Sequence, residues 1–237
     1  NNAVSIIFEV NTFGGRVDAA TQIKDAILDS KIPTVAFINK RAISAGALIS
    51  LSCEKIYMTG GATIGATTAV DMSGKKASEK VISYMREEMA STAEKRGRNK
   101  YITRGMVDEE LEFPNKVKNE YVTSDNEVDT IKTIIYYLVM DKDTIYVDDI
   151  EGRKQGNLIT LTTEQALKYK IADRSADTFD SVLDSLGFSN ANVQKTSENW
   201  SENFVRFLTN PVVASLLTTF GFLGILFELQ SPGWGIP

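Results

Sequence analysis

Histidine is absent from the 237 residues, and cysteine occurs once, as Cys53. No Ser-His-Asp triad, histidine metal site or histidine general base can therefore be built from this chain alone. One cysteine excludes an internal disulfide and a cysteine-clustered zinc site, and leaves the redox compartment open. Positive charge is also in deficit: 26 Lys and Arg against 31 Asp and Glu give a net charge of -5 and a pI near 5.0. Nucleic-acid binding usually shows a basic stripe, and none is visible. The one Lys/Arg-rich piece, "AEKRGRNK" (93–100), is short and reads as a solvated helix end. A nucleophile in this chain would need a base other than histidine. Lysine is the usual substitute when burial lowers its pKa.

The composition that remains, 43% hydrophobic and 24% charged, is enough for one large domain or a domain with appendages. "AVSIIFEV" (3–10) is a continuous apolar run and reads as a buried strand; "NTFGG" (11–15) follows as a turn. "RVDAATQIKDAILDS" (16–30) has helical spacing, with Val17, Ala20, Ile23, Ala26 and Ile27 recurring at three and four. "IPTVAFIN" (32–39) is a second strand, "AGALISLS" (45–52) a short helix and "KIYMT" (55–59) a third strand. Such alternation predicts parallel pairing with crossover helices. The chain opens inside a strand with no lead-in, which reads as an N-terminal truncation.

A glycine-rich loop (60–76) leads to an amphipathic helix over 78–97, with Val81, Ile82, Met85, Met89 and Ala93 as its stripe. The stretch 114–157 reads as an inserted strand pair or small subdomain. "LTTEQALKYKIAD" (161–173) returns to helix grammar, capped by Thr162 or Thr163, and 175–188 is another short helix. At the far end, "VVASLLTTFGFLGILFEL" (212–229) carries one charge, Glu228, and reads as a membrane span approached by an amphipathic helix in "SENWSENFVRFLT". Trp234 is placed at the membrane interface. The expected domains are a core over 1–113, the insertion 114–157, the end of the core 158–190, a linker 191–210, and the start of a membrane domain 211–237.

Three features point to chemistry. Ser44 stands where a strand feeds a helix, above the C-terminal sheet edge where open α/β sheets place their ligands. There it either caps the helix or acts as a nucleophile in the field of the helix N-terminus. Gly14 and Gly15 follow the first strand, and their N–H groups, with that of Ala45, suit an oxyanion hole. Lys75, Lys76 and Lys80 lie around the start of the helix after the glycine-rich loop. Either all three stay as solvated surface lysines, or one of them, Lys80 beside Val81 and Ile82, is led inward and partly desolvated. A calcium loop in "DKDTIYVDDIEG" fails at Ile145 and lacks the central glycine, and residues 60–65 lack a P-loop lysine.

"EVNTFGGRVDAATQIKDAI", "SAGALISLS" and "GGATIGA" resemble the protease domain of NfeD-type membrane serine proteases, of the ClpP and signal-peptide-peptidase-A class. "LTTEQALKYKIAD" resembles that domain's closing helix, and "NPVVASLLTTFGFLGILFELQSPGWGIP" the family's first transmembrane segment. The resemblance implies an α/β domain of ClpP/crotonase type with a parallel sheet, crossover helices and a C-terminal transmembrane segment. It implies a Ser-Lys dyad of Ser44 and Lys80, oxyanion contacts from Gly14 and Gly15, and neither cofactor nor metal. It further implies apolar peptide substrates, stomatin-like membrane partners, a homodimer and an extracytoplasmic protease domain at the membrane. Phe13 departs from the family's proline, Ile43 from a small residue, and the loop before Lys80 is shorter than in some members. Two rivals stand beside this reading: a non-catalytic scaffold for membrane partners, and a crotonase-like acyl-CoA enzyme, whose acidic groups near Gly14 and basic phosphate patch are not evident.

Overall fold

A computed structural model describes residues 3–70, 74–124, 127–140, 143–150, 152, 154–196 and 200–230. The chain forms two compact units, 1–189 and 190–237. In the first, β1 (Ile6–Thr12), α1 (Val17–Leu28), β2 (Thr34–Ile43), α2 (Ala45–Ser52), β3 (Lys55–Met58) and β4 (Thr63–Gly65) follow one another. Strand β2 is the centre: it pairs in parallel with β1, with β3 through Val35–Ile38, and with β4 through Arg41–Ile43. It is longer than its apolar run, continuing through Lys40 and Arg41 to the residue before Ser44. Both faces are covered, as a parallel sheet with crossover helices requires. Ala36 and Ile38 enter the main core, whereas Val35 and Phe37 join Tyr57, Ala176 and Val182 on the other side.

The expected parallel α/β order holds, with differences that have local causes. Helix α1 buries Ala20, Lys24 and Ile27, one face at i, i+4 and i+7, so Ile23 and Ala26 of the expected stripe are exposed. Lys24 is tolerated inside because Glu88 of α3 (Glu79–Lys95) and Asp25 each lie 2.7 Å from its Nζ. The glycine-rich loop contains β4, and α4 (Lys100–Gly105) follows α3, capped by the Asn99 side chain. The insertion is a three-stranded antiparallel sheet, β5 (Asn115–Ser124), β6 (Glu127–Met140) and β7 (Asp143–Tyr146). It is no separate subdomain, since Tyr136, Leu138, Val147 and Ile150 lie in the main core.

The closing segment is β8 (Thr160–Thr162), antiparallel to β4, then α5 (Thr163–Lys168), β9 (Arg174–Ser175) and α6 (Phe179–Ser185). Thr162 and Gln165 form a capping box, so of the two candidate caps Thr162 is the one used. The Tyr169 hydroxyl bonds Asp149, and burial with that carboxylate pushes the phenol up to about 12. The second unit holds α7 (Trp200–Thr209), within the expected linker, and α8 (Pro211–Gln230), 20 residues of mean hydropathy 2.0. Helix α8 is long and apolar enough to cross a membrane. Trp234 lies outside the described residues.

Cys53 is fully buried, its Sγ donating to the Ile49 carbonyl at 3.6 Å, and burial pushes its thiol up to about 12. A thiolate reacts and a thiol does not. Cys53 should therefore resist a thiol reagent in the native protein and react promptly in denaturant; rapid native labelling would contradict this burial.

Candidate active site

Ser44 joins β2 to α2 with φ 55 and ψ -119, a strained conformation for a residue with a side chain. Its side chain makes no capping hydrogen bond, so the helix-cap alternative is not realised. A strained strand-to-helix turn of this kind lifts a serine Oγ clear of its own backbone, as nucleophile elbows do. The amide of Ser44 is spent: it donates to the Gly65 carbonyl at 3.0 Å. The Ala45 amide is different. Ala45 opens α2, so its N–H has no carbonyl one turn back to bind.

The small residues around Ser44 serve close approach. A Cβ on Gly46 would fall 2.5 Å from Thr12 Cγ2, so glycine lets α2 close onto β1. A Cβ on Gly14, where φ is +124, would fall 2.7 Å from Ser44 Cβ and 3.1 Å from Oγ. The "NTFGG" turn is thus seated against the serine, 30 positions away in sequence. Gly14→Ala should combine backbone strain of about 1–3 kcal/mol with a displaced Ser44. The expected result is a lower unfolding midpoint together with loss of any Ser44-dependent activity.

The two glycines differ in use. Gly14 N–H donates to Thr12 Oγ1 at 3.0 Å, and the same hydroxyl donates to Gly14 O at 3.2 Å. The Gly15 amide makes no hydrogen bond among the described residues. Free amides near the serine therefore come from Gly15 and Ala45. Phe13, exposed before the glycines, carries the Arg41 guanidinium over its ring at 4.4 Å.

Lys80 is the second residue of α3, and its side chain is exposed. It makes no hydrogen bond or ion pair among the described residues, with Ser44 or any other. The inward turn and loss of water are thus not present in the free chain. The neighbouring carboxylate, Glu79, is held by Arg86 at 3.0 Å, and Lys76 is paired with Glu109 at 2.5 Å, so of these two lysines Lys80 is the unpaired one. An open cavity of about 740 Å³ lies between α1 and α3, lined by Arg16, Val17, Thr21, Gln22, Val70 and Tyr84 among others. Arg16 directly follows Gly15, and Tyr84 stands one helical turn beyond Lys80. Neither Ser44 nor Lys80 is among the residues that line it. Among the described residues, no cluster of three or more His, Cys, Asp or Glu is arranged to hold a metal.

Sequence reasoning missed Arg98. It belongs to the stretch read as a solvated helix end, yet it is buried and donates to the carbonyls of Leu51, Cys53, Glu54 and Ile171 and to Asp173. Arg96 adds a bond to the Ser52 carbonyl at 2.7 Å. These cations meet the C-terminal end of α2, the helix whose N-terminal end holds Ser44. The only signal in sequence was Gly97, which ends α3 with φ +70 and turns the chain inward.

The family model for the NfeD1b N-terminal domain matches residues 1–130. The chain belongs to this NfeD1b family. It is 33% identical over its whole length to the membrane protein NfeD1b of Bacillus subtilis, and 26% identical to the membrane-bound protease PH1510 of Pyrococcus horikoshii. It spans 46% and 48% of those two proteins, about half of each. Among solved structures, the 1510-N membrane-bound stomatin-specific protease, as a lysine-to-alanine variant with a substrate peptide, superposes with a TM-score of 0.59 at 23% identity, over 88% of this chain and 84% of that one. A serine-to-alanine variant of 1510-N gives 0.52 at 25%, over 77% and 69%. The fold of this NfeD1b domain is therefore the ClpP-like fold of 1510-N, and the crotonase-type α/β expectation holds.

Proposed function

We propose that this NfeD1b domain is a membrane-anchored serine endopeptidase with Ser44 as nucleophile and Lys80 as base, acting on apolar peptide segments. The observation that carries the reading is the Ser44 turn: strained, uncapped, and seated against Gly14 at the head of α2. In this mechanism Ser44 Oγ attacks the peptide carbonyl carbon while its proton passes to neutral Lys80 Nζ. The Gly15 and Ala45 amides hold the oxyanion. Collapse breaks the C–N bond, and the Lys80 ammonium returns the proton to the leaving amine. Water then attacks the acyl-serine ester, losing a proton to Lys80, and Ser44 departs with that proton. A bound peptide covers Lys80 and supplies the desolvation that the free chain lacks. The exposed apolar groups Phe13, Val70 and Tyr84 suit an apolar substrate. A stomatin-like membrane protein as substrate partner, a homodimer and an extracytoplasmic protease domain complete the proposal; they rest on the likeness to PH1510 and to the wider family. The test is fragment analysis of an apolar peptide incubated with the full-length protein and with Ser44→Ala.

A second reading, a non-catalytic scaffold for membrane partners, is favoured by the exposed, unpaired Lys80 and by the Gly14 amide that Thr12 occupies. Thr12→Val separates the two. It keeps the shape and frees that amide for an oxyanion, so in an enzyme it should raise kcat severalfold. In a scaffold it should leave peptide cleavage at zero.

A further inference from the structure

Among the described residues of its own unit, helix α7 has a face that nothing covers. Trp200, Phe204, Phe207 and Leu208 recur at i, i+4, i+7 and i+8, which places them on one side of the helix. All four are exposed, and the Trp200 and Phe204 rings stack at 5.4 Å with an interplanar angle of 9°. Glu202, Arg206 and Thr209 occupy the opposite side. Helix α8 differs in kind, being apolar all round with no residue buried. Between them the chain breaks at Asn210: its side chain accepts from Val212 N–H at 3.0 Å and its carbonyl from Ala214 N–H at 2.8 Å, starting a new helix at Pro211. Two helices of different pattern, joined by one capping residue, match an interfacial helix followed by a spanning one.

We infer that α7 lies in the headgroup plane of the membrane that α8 enters, with Trp200, Phe204, Phe207 and Leu208 in the acyl boundary. Continuity with α8 chooses the lipid surface as the occupant, because the start of a spanning helix holds α7 at the headgroup level. Trp and Phe are the side chains that favour that level. One acidic and one basic residue on the polar face give no net charge, so zwitterionic lipid suffices and the contact should survive high salt.

The chain supplies its own probe, having only two tryptophans. The 237-residue chain carrying Trp234→Phe, reconstituted in phosphatidylcholine vesicles, leaves Trp200 as the single emitter. Its emission should be strongly quenched by lipids brominated near the carboxyl end of the chain, and less by bromine near the chain terminus. Aqueous acrylamide should quench it weakly, with no change at high salt. In the same protein with Phe204→Ser and Phe207→Ser, both exposed positions, bromolipid quenching should fall severalfold and acrylamide quenching should rise. Strong acrylamide quenching without bromolipid quenching would place the face in water and overturn the inference. Protection from both quenchers would place it against protein, and stronger quenching by the deeper bromine would make α7 part of the span; either result overturns it as well.

Discussion

Ser44→Ala should remove peptide cleavage by about 10⁴-fold or more in kcat, with the fold intact. The position is half-buried, and its side chain makes no hydrogen bond among the described residues. Deleting the hydroxyl therefore leaves no buried partner unpaired, and the unfolding midpoint should stay where it is. The loss is chemical: no acyl-enzyme forms, which costs roughly 5 kcal/mol of transition-state stabilisation at about 1.4 kcal/mol per decade. Lys80→Ala should lose a similar factor, and the double variant little more, because the two groups act as a unit. Lys80→Arg discriminates further. Arginine keeps the charge but cannot give up its proton, so it should be as inactive as alanine. Activity that survives Ser44→Ala would end the dyad proposal. Activity lost in Ser44→Ala and retained in Lys80→Ala would keep the nucleophile and require another base.

Arg98→Leu should lower the stability of the first unit by about 3–5 kcal/mol, the cost of breaking a buried charged network from one side. Arg98 has only 4% of its side chain exposed beside Asp173, and desolvation holds its pKa below the ordinary value while Asp173 opposes the shift. It remains charged, as arginine does in proteins. Removing it strands the carbonyls of Leu51, Cys53 and Glu54 at the end of α2, and that of Ile171. Lysine offers donors without the planar fork, so Arg98→Lys should recover only part of the loss. Asp173→Asn should cost less, because an amide oxygen can still accept the Ile56 N–H that now lies 2.7 Å from Asp173 Oδ2. Urea unfolding of the full-length protein in detergent, followed by circular dichroism, reads these differences. Equal midpoints for wild type and Arg98→Leu would show that the network carries no net stability. Because Ser44 begins the same helix, Arg98→Lys should also lower kcat more than it changes KM.

Much of this architecture was legible from pattern because the relevant forces are local. Alternation in 34–38 produces two buried faces, and the Ser-Ala-Gly junction marks a strand meeting a helix. The absence of histidine directed attention to a lysine. An apolar run ending at Glu228 announced α8 by composition alone. The three short elements β4, β8 and β9 were not legible, since each is held by pairing with a distant strand rather than by its own periodicity.

Residue types and their spacing thus determined which groups are available for chemistry here: one serine at a turn, glycines near it, lysines downstream. Their working state depends on contacts between parts of the chain far apart in sequence. Thr12 takes the Gly14 amide and Gly65 takes the Ser44 amide, while those of Gly15 and Ala45 make no hydrogen bond among the described residues. Arg98 turns inward from a stretch that reads as solvated, because the end of α2 presents carbonyls that need a donor. Lys80 stays in water near the start of α3, where it pairs with no group among the described residues. Burial and hydrogen-bond occupancy are properties of the assembled surface, and no window of sequence contains them.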